Sequence, residues 1–336
     1  YNVFFSRTIL PEPTLIFFSL GMMYFIDKLI EEQKKSLIWL AGIFMAISFL
    51  IKPWAIFYLL PMWYLYYKKN GSWLLSKKTL AFLLLFILPF LIWRMWILQF
   101  PEGIPASNWL LNGDGIRFRP MFWYWLLQER IGREILGLTG AFLFFLGLIL
   151  RPSNKNYFFH FWALSLFLYF VIFATGNVRH DYYQVIFVPI ATVFVSLGFM
   201  HLIKGIKDFI PRIFTIPMAF LLFILMFYFS FVQVKELYKI NNPVIIEAGK
   251  EADKILPKDA VVVAPYNGDT AFLYQINRYG WPVVAFPLPE MVAKYGVTHL
   301  VSVAKDSDTK YAMEHFTVLE ETDKYIIVDL TKPKKL

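Results

Sequence analysis

Over the first 234 residues, long apolar stretches alternate with short polar ones, and the apolar stretches are too continuous for surface helices. Eight runs are marked: Pro13 to Ile26, Ser36 to Ile51, Pro53 to Tyr67, Thr79 to Trp93, Ile135 to Leu150, Tyr157 to Val178, Tyr182 to Ile203 and Ile213 to Val234. The last three have 22 residues each, enough at 1.5 Å per residue to cross an apolar layer of about 30 Å. The first five have 14 to 16, so they must borrow flanking polar residues to span or pack inside a bundle. The pattern predicts an α-helical polytopic membrane bundle of about eight transmembrane helices.

The short loops carry their lysines and arginines unevenly. Asp27 to Lys35 holds three, Lys68 to Lys78 four, Arg151 to Lys155 two and Lys204 to Arg212 three, while the alternate short loops hold only Arg7, Lys52 and Arg179. The richer loops mark the cytoplasmic side. Ser36 to Tyr67 can be read either as one helix kinked at Lys52-Pro53 or as a hairpin with that dipeptide at its tip; the charge bias favours the hairpin. The other face then receives Arg7, Glu12, Lys52, the loop 99–134, the turn Gly176 to Asp181 and everything after Val234. Within that loop, Met121 to Arg133 reads as an amphipathic helix opening on Phe122, Trp123, Tyr124 and Trp125, suited to the headgroup level or to covering a substrate.

Near residue 235 the pattern changes. Residues 236–336 read as a small α/β domain on the extracytoplasmic face, and residues 1–235 as the transmembrane domain. The domain is expected to hold a helix over Pro243 to Leu256 and a turn at Tyr266 to Asp269 that starts a second helix. Strands are expected at Ala260 to Ala264, Val283 to Phe286, Thr298 to Val303, Phe316 to Glu320 and Tyr325 to Leu330. No glycine-rich phosphate-binding signature occurs. Asp269, Arg278 and Trp281 are of the types that contact sugars, but equally of the types that cap, pair and fill a small domain.

Composition sharpens this. The chain is 58% hydrophobic and 20% aromatic with only 17% charged residues, which is membrane composition. With no cysteine and no histidine pair at ligand spacing, thiolate chemistry and thiolate-ligated metals are excluded, and a metal site would have to be built on carboxylates. Of the 33 Lys and Arg, 20 precede Lys235 against 10 acidic residues, whereas the remainder of the chain has 13 against 14. The net charge of +9 therefore belongs to the membrane part, and no nucleic-acid partner is expected.

Three cations stand where the bias removes them: Arg7, Lys52 and Arg179. A lipid phosphate at the membrane surface needs such donors, although each could also reach up to the headgroups. Glu12 in LPEP, and His180, Asp181, Tyr182 and Tyr183 in RHDYYQ, are the polar and aromatic groups nearest to them.

The segments SRTILPEPTLIFF, LIKP, RHDYYQ and DTAFLYQINRYGW together resemble membrane glycosyltransferases of the GT-C type, being similar to bacterial members akin to protein-O-mannosyltransferases and lipid A aminoarabinose transferases. The resemblance implies a multi-pass protein of the bacterial plasma (inner) membrane. It implies transfer of a sugar, without metal or other cofactor, from a polyprenyl-phosphate-linked donor to a glycan, lipid or protein acceptor on the extracytoplasmic face. It further implies a catalytic acidic residue in a first outer loop, which in such proteins lies several helices ahead of the segment matching SR…PE and hence before Tyr1. Arg7, Lys52 and Arg179 match the donor-phosphate role; Glu12, His180, Asp181, Tyr182 and Tyr183 are possible substrate-site residues. A transporter or flippase of lipid-linked glycans is the competing expectation, but it calls for charges at mid-membrane depth, whereas these sit at helix ends.

Overall fold

In an apolar setting a backbone must satisfy its own hydrogen bonds, so each apolar run folds as helix. The computed structural model describes residues 1–100, 108–152, 155–205, 210–239 and 242–334, which fall into two units, Tyr1–Tyr238 and Lys239–Leu336. The first unit holds α1 (Asn2–Phe5), α2 (Glu12–Glu32), α3 (Lys35–Ile51), α4 (Leu59–Asn70), α5 (Lys77–Ile97), α6 (Asn108–Asn112), α7 (Pro120–Tyr124), α8 (Thr139–Ile149), α9 (Phe158–Ile172), α10 (Ala174–Arg179), α11 (Val188–Lys204) and α12 (Arg212–Val234). Tighter turns at Pro53–Tyr58 and Tyr183–Phe187 lead into α4 and α11.

Four helical stretches among the described residues are long and apolar enough to cross a membrane: Glu12–Glu32, Lys77–Ile97, Tyr183–Lys204 and Arg212–Tyr238. A fifth results if Pro120–Ile135 and Thr139–Ile149, bent by 107°, form one broken span. The expected eight crossings are therefore corrected. The run Pro53 to Tyr67 opens with a 3-10 turn and leaves α4 only 12 residues. The run Tyr157 to Val178 breaks at Phe173 (φ −94°, ψ 44°), which separates α9 from α10. The run Ile135 to Leu150 begins late because Gly137 and Leu138 both take positive φ. The expected helix over Met121 to Arg133 is α7 followed by wide π-helical turns over Trp125–Ile135.

The surface of this unit is apolar. Leu84, Leu88, Leu91 and Ile92 of α5, and Phe220, Leu221, Ile224 and Phe227 of α12, are all exposed. Contiguous apolar surface of this kind is not tolerated in water, and it makes the helical unit a membrane-embedded body. Inside, Leu15, Met22, Met45, Tyr58, Leu143, Leu166 and Phe194 belong to one continuous core. α8 and α11 cross closely: a Cβ at Gly147 would lie 2.0 Å from the Phe194 carbonyl oxygen, and one at Gly198 2.0 Å from that of Leu143.

The chain reverses at Lys52. Gln33 and Ile38 line the same cavity as Lys69, Asn70 and Lys78, so the loops before α3 and after α4 share one end of the bundle, as in the hairpin. The Tyr64 hydroxyl donates to the Lys155 carbonyl at 3.2 Å, linking α4 to a third basic loop.

The second unit is a five-stranded mixed sheet in the order β2-β1-β3-β5-β4, built from β1 (Val261–Val263), β2 (Tyr279–Trp281), β3 (His299–Ser302), β4 (Phe316–Glu321) and β5 (Ile326–Pro333). β1 runs parallel to β2 and β3, while β5 is antiparallel to β3 and β4. Its helices are α13 (Val244–Ile255), α14 (Ala271–Ile276), α15 (Leu288–Tyr295) and α16 (Ser307–His315). The strand expected at Val283 to Phe286 is not one; its place beside β1 is taken by Tyr279–Trp281. There Gly280 admits the neighbouring backbone, since a Cβ would lie 1.7 Å from the Val262 carbonyl oxygen.

Candidate functional site

The segment LPEP places Glu12 at the first position of α2. Pro11 and Pro13 pre-set the backbone there, and a carboxylate is favoured at the positive end of a helix. At the end of α3, Pro53 forces the preceding residue out of helical geometry, so Lys52 is extended (φ −155°, ψ 134°) although its N–H still bonds the Ser48 carbonyl. These two local effects bring the side chains together. Lys52 Nζ donates to Glu12 Oε1 in an ion pair whose members are 14% and 2% exposed. The second carboxylate oxygen, Oε2, is buried and has no hydrogen-bond partner among the described residues.

Aromatic rings complete the surround of Lys52. Its ammonium lies 4.5 Å from the centre of the Tyr183 ring, 5.3 Å from Trp54 and 5.7 Å from Tyr182. Such faces attract a cation by about 0.5–2 kcal/mol each. Burial lowers the pKa of Lys52, and the Glu12 carboxylate opposes that shift. His180 packs on Tyr183 and Tyr182 with ring centres at 4.8 and 5.3 Å. Its pKa is lowered by burial and then by the charge of Lys52, which favours the neutral imidazole.

Asp181 belongs to an adjoining network that was not foreseen. Its carboxylate accepts from Arg130 Nη2 at 2.5 Å, and its carbonyl accepts from the Tyr1 hydroxyl. Arg130 also grips Glu134 through Nη1 at 2.7 and 2.9 Å and lies over the Trp125 ring. Buried Gln184 donates to the carbonyl and side chain of Asn177, which fixes the turn that carries 180–183. The sequence signal was the charged string ERIGRE inside an aromatic segment; its partner across the bundle was invisible to spacing.

The predicted residues thus divide. Glu12, Lys52, His180, Tyr182 and Tyr183 form one cluster, and Asp181 faces the Arg130 network beside it. Arg7 is exposed in the turn after α1 and makes no ion pair among the described residues; Arg179 is exposed at the end of α10. The expected loop 99–134 falls partly outside the described residues. In the second unit, Asp269 closes the turn ahead of α14 by accepting from the Ala271 N–H at 2.8 Å, and Trp281 packs edge-on against Tyr295. Arg278 is buried and spends its guanidinium on the Asp253 carboxylate and the carbonyls of Leu256 and Pro257. Those three serve the domain's structure.

Among the described residues, no group of three or more His, Asp or Glu side chains could hold a metal ion. The cluster holds one cation paired with a carboxylate, three aromatic faces, and one buried carboxylate oxygen with no donor among the described residues. Compared with known proteins, the chain matches no protein-family model and no curated relative.

Proposed function

We propose that this chain is a membrane glycosyltransferase that moves a sugar from a polyprenyl-phosphate-linked donor to a lipid, glycan or protein acceptor on the extracytoplasmic face. The observation that carries the reading is convergence. Three of the segments that resemble such enzymes, LPEP, LIKP and RHDYYQ, are far apart in the chain, yet Glu12, Lys52, Tyr182 and Tyr183 meet in one cluster.

In this reading Lys52 receives the donor phosphate. An acceptor hydroxyl attacks C1 of the sugar and gives its proton to a carboxylate base, the catalytic acidic residue that the resemblance implies, while the C1–O bond to the phosphate breaks and the phosphate leaves with the electron pair. A preorganised, half-desolvated ammonium stabilises that charge more than a solvated one would. Glu12 acts as a positioning residue for Lys52. The Trp54, Tyr182 and Tyr183 faces confine the headgroup.

Trp54 supplies the test, because its ring lies beside Lys52. The full chain in nanodiscs is titrated with polyprenyl-phosphate-linked sugars, and the Trp54 contribution to fluorescence is isolated with a Trp54→Phe control. Lys52→Met is expected to weaken binding at least about tenfold, the scale of one lost charge-assisted contact, and Lys52→Arg to restore part of it. Undiminished binding by Lys52→Met would sink the reading.

A further inference from the structure

At the opposite end of the bundle from Glu12 lies a cavity of about 890 Å³ between α2, α3, α4 and α5. Its walls are apolar, with Ile30, Ile38, Leu60, Trp63, Phe82 and Leu85 on them, while Lys69, Asn70, Ser76 and Lys78 also line it. The volume lies within the range of about 300–1,000 Å³ typical of ligand sites. An apolar shaft with a cationic mouth is the complement of an anionic amphiphile.

The basic residues at this end are not equivalent. Lys28 and Lys34 are neutralised by Glu31 and Glu32 at the end of α2. Lys69 and Lys78 are exposed and form no ion pair among the described residues. Lys77 and Lys78 also occupy the first turn of α5, where the helix dipole disfavours a cation unless an anion accompanies it. Lys35, Lys68 and Lys77 also form no ion pair among the described residues, so what sets Lys69 and Lys78 apart is that they line the cavity.

We propose that this cavity is a binding site for one anionic phospholipid, its acyl chain lying along Trp63, Phe82 and Leu85 and its phosphate between Lys69 and Lys78. The inference rests on the membrane setting of the helices and not on the transferase reading. Juxtamembrane lysines attract anionic headgroups by about 1 kcal/mol each, so two should favour an anionic over a zwitterionic lipid by about tenfold or more.

Trp63 on the wall allows a contact-range test. The full chain in detergent is titrated with phosphatidylglycerol and phosphatidylcholine brominated in the acyl chain, and the Trp63-dependent quenching is obtained by difference with Trp63→Phe. Phosphatidylglycerol should quench at about tenfold lower concentration. Lys69→Glu/Lys78→Glu should abolish the preference, and Ala81→Trp, which fills the cavity, should remove quenching by both lipids. Equal quenching by the two lipids in the unsubstituted chain overturns the proposal without any variant. Protection of Trp63 from brominated phosphatidylglycerol by millimolar inorganic phosphate alone also overturns it, because the site would then recognise a free anion and not a lipid.

Discussion

Lys52 in the helical unit and Arg278 in the α/β unit are both cations withdrawn from water beside a carboxylate, and the comparison separates a site from a clamp. Arg278, 1% exposed, directs each nitrogen at a protein acceptor: Nε at the Pro257 carbonyl, Nη1 at Asp253 and Nη2 at the Leu256 carbonyl. Nothing is left for a ligand. Lys52 has one carboxylate oxygen and otherwise only ring faces, and its partner Glu12 keeps an oxygen with no donor. A saturated buried cation fixes structure, whereas an unsaturated one retains binding capacity.

The sharpest way to break this comparison is to remove one member of the Glu12–Lys52 pair. Glu12→Ala strands an ammonium and should cost about 3–5 kcal/mol in detergent unfolding, while Glu12→Gln/Lys52→Met, which removes both charges, should recover most of that. Equal stability of the two variants would show that the pair is not coupled. Next in size, Arg278→Lys should lose about 3 kcal/mol, because one ammonium cannot reach the acceptors that the planar fork serves. A loss below about 0.5 kcal/mol in chemical unfolding would remove the clamp.

Acid titration gives a smaller effect. Hydrogen bonds from Lys258 and then Arg278 pull the Asp253 pKa from 3.8 down to about 2. Its folded-state pKa is depressed, so its stabilising contribution is present above about pH 4 and is lost as pH falls toward 2. Asp253→Asn should flatten that part of the stability profile and leave the profile above pH 5 unchanged in slope. Smallest of all, Arg7→Ala should shift unfolding by less than about 0.5 kcal/mol, as expected of an exposed side chain without an ion pair. A larger shift would mean that Arg7 belongs with Lys52 after all.

The candidate cluster was legible wherever proline dictated local geometry. Pro53 made Lys52 a tip, and Pro11 with Pro13 made Glu12 a helix start. The apolar runs around α5 and α12 were equally plain. What escaped was set by tertiary contact. At the break Phe173 packs edge-on against Trp54, 119 positions earlier in the chain, with ring centres 4.5 Å apart. β2 lies at Tyr279–Trp281 and not at Val283 to Phe286 because only a glycine admits the backbone of β1, and a periodicity of apolar residues carries no record of that. The Arg130–Asp181 contact joins positions separated by 51 residues, beyond any spacing rule.

The crossing at Gly147 and Gly198 has a mechanical consequence. Backbone touches backbone there, so no side-chain rotamer can absorb a displacement. A push on the start of α8 is delivered undamped to α11. Arg130 and Glu134 precede α8, and Asp181 precedes α11, so the two halves of their network are carried on the two helices locked together there.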